Sequence, residues 1–141
     1  MSKRTLEHLI PTDLDFQCEN ARVLVFDDDQ LITRFVALCL KNAGFANVRC
    51  LNSTLDAIQQ IDEYRPDLIL LDIEMPHLDG LELLELIRAD EKFEEILVVM
   101  LSGADKASKY RSLNLGAVDF IDKPVRADEL EVRIRKALRV V

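Results

Sequence analysis

From Arg22 onward, short apolar runs alternate with longer stretches in which apolar residues recur every three or four positions. Runs bounded by polar or turn residues read as buried strands, and the 3.6-residue recurrence reads as amphipathic helices. VLVF (23–26) is the first predicted strand. A helix follows across 29–44, with Ile32, Phe35, Val36, Cys39, Leu40 and Ala43 on its expected inner face and Gly44 as its stop. NVRCL (47–51) is a weaker strand, and Ser53 is placed to cap a helix running to about Tyr64. Pro66 and Asp67 break the pattern before the strand LILL (68–71). MPHLDG is then a loop into the helix LELLELIRAD. ILVVML (96–101) is the fourth strand, followed by a helix across 105–115. AVDFI (117–121) is the fifth strand. The last helix starts near Asp128, with Leu130, Ile134, Ala137, Leu138 and Val141 as its inner stripe.

Strict alternation of strand and helix predicts an α/β fold with a parallel sheet and right-handed crossovers. Three strands are uninterrupted apolar runs, as expected where helices cover both faces. The second strand carries Arg49 and the fifth carries Asp119, and charges suit edge positions. The order 2-1-3-4-5 satisfies this: a flavodoxin-like, doubly wound, five-stranded parallel sheet with five flanking helices. Residues 1–21 read differently. Leu6, Leu9 and Ile10 could line a short helix ending before Pro11, and a polar, non-periodic stretch follows. The expected organisation is an N-terminal extension at 1–21 and one domain at 22–141.

In such sheets ligands bind beyond the carboxyl ends of the strands, at the point where strand order reverses. Strand one ends in Asp27, Asp28 and Asp29, strand three in Asp72, and strand four in Ser102; strand five leads to Lys123. Each of these has a plainer reading alone: Asp29 as a helix cap, Ser102 as a turn residue, Lys123 as a surface lysine. Together they bring polar groups to one edge of an apolar fold. Two like charges about 4 Å apart cost on the order of 4 kcal/mol at an effective dielectric near 20. The acids therefore call for protonation or a cation. Oxygen ligands without His or Cys favour a hard ion, Mg2+ rather than Zn2+; His77 in the next loop reads as a surface residue. A carboxylate flanked by Mg2+, Lys123 and the Ser102 hydroxyl is suited to take a phosphoryl group on Asp72.

Composition narrows the function further. The formal net charge of −8 argues against nucleic acid as this domain's ligand. No stretch reaches the length and apolarity of a membrane span. Cys18, Cys39 and Cys50 lack metal-ligand spacing and read as reduced thiols in the cytoplasm. Late basic residues, from Lys106 through Arg139, read as solvated helix faces or as an output surface for an acidic partner.

With these residues in view, the chain resembles the receiver domains of two-component response regulators over about 22–140. VLVFDDDQ is similar to the first-strand acidic motif and LILLDIEMPHLDG to the phosphoacceptor strand and loop. VVMLSG resembles the fourth-strand motif and GAVDFIDKP the fifth. The resemblance implies that Asp72 is the phosphoacceptor. It implies that Asp28 and Asp72 bind Mg2+ by side chain, Glu74 by main-chain carbonyl and Asp27 through water. It assigns Ser102 and Lys123 to the phosphoryl oxygens, and Phe120 to a switch that moves with Ser102. Lys123–Pro124 is expected to be cis. Phe120 stands where Tyr is frequent and Gly103 where Ala is usual, and Glu74 and Ala104 hold the two variable positions beside the acyl phosphate.

The implied partners are a sensor histidine kinase or histidine phosphotransfer protein, and a downstream output reached through helix four, strand five and helix five. A homodimer is left open: Asp119 and Arg133 match part of the family's dimer charge pattern, while Val118 and Val140 do not. The domain alone is expected to be no enzyme beyond phosphoryl transfer to, and hydrolysis from, Asp72. A haloacid-dehalogenase-type phosphatase needs a second Asp where Glu74 stands, and a cap. The alternative is a regulatory receiver within a larger cyclic-di-GMP synthesis or hydrolysis enzyme, since the last helix reads as one that continues.

Overall fold

The computed structural model describes residues 18–103 and 105–139; the expected helix in 1–10, Ala104, Val140 and Val141 lie outside that range. The elements in chain order are β1 (Arg22–Phe26), α1 (Gln30–Asn42), β2 (Asn47–Leu51), α2 (Ala57–Tyr64), β3 (Leu68–Asp72), α3 (Gly80–Ala89), a 3-10 turn (Glu91–Phe93), β4 (Leu97–Ser102), α4 (Lys106–Asn114), β5 (Asp119–Asp122) and α5 (Ala127–Arg139). The sheet is parallel, in the order β2-β1-β3-β4-β5. This is the predicted doubly wound arrangement, and the charged positions do lie at the edges. Arg49 is exposed on β2, and Asp119 on β5 is paired with Arg133 at 3.0 Å.

Alternation along each strand produces two cores. Val23, Val25, Leu68, Leu70, Val99 and Leu101 face α1 and α5, meeting Val36, Leu40, Leu130 and Ile134. Leu24, Phe26, Ile69, Leu71, Val98 and Met100 face the other way, onto Ile61 of α2 and Leu83, Leu84 and Ile87 of α3. Leu68 through Leu71 are entirely buried; each contributes about 1.5–3 kcal/mol of hydrophobic stabilisation. Helix α4 is different, since Ser112 is the residue it buries.

Aspartate side chains cap three of the α-helices among the described residues. Asp29 accepts from Leu31 N at 2.9 Å, and Asp105 from Ser108 N at 2.9 Å. Asp79 accepts from Glu82 N while Glu82 Oε1 accepts from Asp79 N, a reciprocal capping box. Such caps are worth roughly 1 kcal/mol each.

Three expectations are corrected. Phe35 is 42% exposed, because Thr33, Val36 and Leu40 define the middle of the buried arc of α1 and Phe35 lies more than a quarter-turn from it. Ser53 does not cap α2; its hydroxyl closes a local turn to Leu55 N, and the helix begins after Asp56, which has a left-handed backbone. Strand β5 starts at Asp119 rather than Ala117, and Val118 is exposed.

Gly80, the first residue of α3, lies against the backbone of Asp72. A Cβ there would stand 2.1 Å from the Asp72 carbonyl oxygen, and Gly80 N donates to Ile73 O at 2.8 Å. Gly80→Ala is therefore expected to destabilise the domain by about 3 kcal/mol. Urea denaturation checks this; a loss below about 1 kcal/mol would mean that the loop yields freely.

Candidate functional site

The register of the sheet sets the acids side by side. Phe26 pairs with Leu71, so the next residues, Asp27 and Asp72, emerge from neighbouring strands at the same level. Asp27 and Asp72 are buried and Asp28 is exposed. Each of the three offers an oxygen within 4.8 Å of the others. Asp27 Oδ1 accepts from Asp29 N at 2.9 Å, and Asp72 Oδ1 accepts from Glu74 N at 3.3 Å.

Lys123 reaches in from the end of β5. Its Nζ is 2.9 Å from Asp27 Oδ2 and 3.1 Å from Asp72 Oδ2. Its backbone N–H donates to Ser102 O at 3.0 Å, which ties the β5 end to the β4 end. The Lys123–Pro124 bond is cis, as the resemblance implied. Ser102 is buried at the end of β4. Phe120 is half-buried on β5; the Lys109 ammonium lies 5.2 Å from its ring centre and pairs with Asp122.

Asp27 Oδ2 is buried and lies 2.9 Å from the Lys123 ammonium, and no other partner reaches it among the described residues. A buried carboxylate oxygen with one cationic partner, grouped with oxygens of two further carboxylates, fits a hard divalent cation. The residues able to hold one are Asp27, Asp28 and Asp72. The Glu74 side chain is exposed and outside this group. His77 is exposed and also outside it.

The electrostatics agree with the geometry. Burial, then the Asp27 charge, push the Asp72 carboxyl up to about 6, with Lys123 and the Glu74 N–H opposing part of the rise. Burial alone would lower the Lys123 ammonium; the contacts with Asp27 and Asp72 outweigh it and hold the group above its ordinary value.

Two polar residues absent from the sequence reading complete the surroundings. Asn52 Nδ2 donates to Asp27 O at 2.8 Å. The buried Thr54 hydroxyl donates to Pro76 O and accepts from Leu78 N, each at 3.2 Å. The polar run Asn52-Ser53-Thr54 directly after a strand, at the edge where the acids gather, was the available signal.

The parallel α/β domain carries an acidic triad, a lysine and a buried hydroxyl at its switch point. The response regulator receiver domain family matches residues 23–135, and this chain is a member of it. The DNA-binding response regulator MtrA of Mycolicibacterium paratuberculosis is 32% identical over 118 residues, covering 84% of this chain and 51% of that protein. The regulatory protein AtoC of Escherichia coli is 29% identical over 119 residues, covering 84% of this chain and 25% of that protein. The solved receiver domain of NtrX from Brucella abortus matches with a TM-score of 0.77 and 34% identity, over 84% of this chain and 99% of that one. The chain spans about half the length of the MtrA relatives it matches, and less of AtoC.

A carboxyl whose folded pKa is raised opposes folding once ionised. The penalty is absent below the unfolded value of 3.8, builds as pH rises, and is complete above about 6. A rise of this size corresponds to about 3 kcal/mol. With chelator present at pH 7, Asp72→Asn should be more stable than wild type by about 2–3 kcal/mol. In urea denaturation across pH, that advantage should shrink as pH falls from 6 toward 4. Equal stabilities at pH 7 would contradict the repulsion read from the geometry.

Proposed function

We propose that Asp72 accepts a phosphoryl group from a sensor histidine kinase or a histidine phosphotransfer protein in the cytoplasm, with Mg2+ bound at Asp27, Asp28, Asp72 and the Glu74 carbonyl. The observation that carries this is the Lys123 ammonium bridging Asp27 and Asp72 beside an acidic triad at the sheet edge. A carboxylate oxygen of Asp72 attacks phosphorus; the donor's P–N bond breaks as the P–O bond to Asp72 forms, and the imidazole leaves. Bound Mg2+ supplies positive charge that favours ionised Asp72 and offsets charge on the transferring oxygens. Lys123 contributes a second, fixed positive charge from the opposite strand. The Ser102 hydroxyl at the β4 end donates to a phosphoryl oxygen.

An apolar face suits a protein donor. Leu31, Phe35 and Leu38 are 74%, 42% and 58% exposed along one side of α1, which starts at the rim of the site. The matched relatives, described as a DNA-binding response regulator and a regulatory protein, do not favour the alternative of a cyclic-di-GMP enzyme.

The switch then follows from charge. Phosphorylation adds about two negative charges at Asp72. Ser102 moves toward them, Phe120 turns inward into the vacated space, and the surface of α4, β5 and α5 changes. Moving a two-state element from 1:99 to 99:1 takes roughly 5.5 kcal/mol, a size that a dianion meeting Mg2+, Lys123 and a hydroxyl can supply. Helix α4 buries little and is suited to move.

Ser102→Ala should still take up beryllofluoride with Mg2+. The amide resonances of α4 and β5, which shift in wild type, should stay near their unmodified positions in the variant. Equal shifts in both proteins would remove Ser102 from the switch.

A further inference from the structure

We propose that Thr54, assisted by Asn52, is a positioning residue for the cation site. In this reading the segment between β2 and α2 clasps the two backbone stretches that must present ligands together. The inference rests on the Mg2+ site proposed above and assigns a function to residues outside its ligand set.

The acid pair leaves β1, and Asp72 with Glu74 leaves β3. Strand pairing joins the two groups as far as Phe26 and Leu71, and beyond that level the loops that carry the ligands are joined by side-chain ties. Asn52 takes hold of the first group. Its Nδ2 donates to the Asp27 carbonyl at 2.8 Å and to Thr33 Oγ1 at 3.1 Å, and Asp27 N in turn donates to Leu51 O at 3.2 Å. Thr54 takes hold of the second. Its hydroxyl uses its donor on Pro76 O and an acceptor position on Leu78 N. The two bonds straddle His77, whose φ of 70° is a left-handed conformation rare for a residue other than glycine. A buried hydroxyl with both bonds made inside the protein holds its partners in one arrangement, because letting go leaves buried polar groups unpaired.

The far side of the same loop is fixed by Gly80, whose N–H bonds Ile73 O and whose α-carbon lies against the Asp72 carbonyl. The stretch carrying Glu74 is thus pinned at both ends, by Gly80 at Ile73 and by Thr54 at Pro76 and Leu78. Mg2+ demands near-ideal octahedral geometry at about 2.0–2.1 Å, so a carbonyl ligand on an unpinned loop binds it less well. Groups that orient metal ligands from one remove typically change affinity by about 10- to 100-fold.

The test is calorimetric titration of Mg2+ into the full chain without phosphodonor, on wild type, Thr54→Val, Thr54→Ser and Asp28→Asn. Thr54→Val keeps the shape and removes the hydroxyl, and Thr54→Ser keeps the hydroxyl. The expected result is a dissociation constant raised about tenfold in Thr54→Val and restored to within about twofold by Thr54→Ser. The Mg2+ concentration for half-maximal labelling by acetyl phosphate should move in parallel, while the labelling rate at saturating Mg2+ changes far less. A Thr54 that only stabilises the fold would lower the melting temperature and leave the Mg2+ constant unchanged, and that outcome overturns the inference. If Thr54→Val does not fold, Thr54→Ala and Asn52→Ala are read by the same criterion. Wild type that binds no Mg2+, or binds it as Asp28→Asn does, would instead overturn the site on which the inference rests.

Discussion

Three carboxylates held together at the carboxyl edge of the sheet form the constraint around which this domain is arranged. Asp27 and Asp72 follow paired positions on β1 and β3, strands whose side chains are almost wholly buried. The two cores on either side of those strands prevent the acids from moving apart. Lys123 offsets part of the repulsion, from a position fixed by its backbone bond to Ser102. What it leaves is expressed in the raised pKa of Asp72. A cation and a phosphoryl group complete such a site in turn. The same local repulsion underlies both the proposed ligand and the proposed switch.

The fold was largely legible because its signals were local. Apolar runs marked the strands, and Arg49 and Asp119 marked the edges, since a charge is tolerated where one side of a strand meets water. The candidate site was legible for a related reason: an apolar strand that ends in Asp, Ser or Lys shows where the interior stops. The failures share a cause as well. Phe35 sits on a helix whose buried arc runs through Thr33 as well as Val36 and Leu40, and a hydrophobic pattern does not count that polar residue. Ser53 precedes the helix by too many residues once the chain takes its left-handed turn at Asp56. Asn52 and Thr54 act on Asp27 and Pro76, 25 and 22 residues away. Only the folded sheet brings those loops together.

Stability is unevenly distributed, and the distribution suits signalling. The centre of the sheet is closely packed; α3 and α5 each bury several apolar residues, and α1 buries Val36 and Leu40. Helix α4 is held by its Asp105 cap and by polar contacts such as Lys109 with Asp122 beside Phe120. A charge change at Asp72 therefore acts on a rigid floor and a lightly held wall. The proposed displacement falls on the α4–β5 side, where α4 buries only Ser112 among the described residues.

The central claim is that Asp72 is the phosphoacceptor and that a divalent cation is required. Intact-mass spectrometry after acetyl phosphate treatment, with and without Mg2+, tests it on wild type and Asp72→Asn. The account predicts a gain of one phosphoryl group in wild type that depends on Mg2+ and is lost in the variant. An equal gain in Asp72→Asn, or a gain in wild type that is indifferent to Mg2+ and chelator, would contradict it.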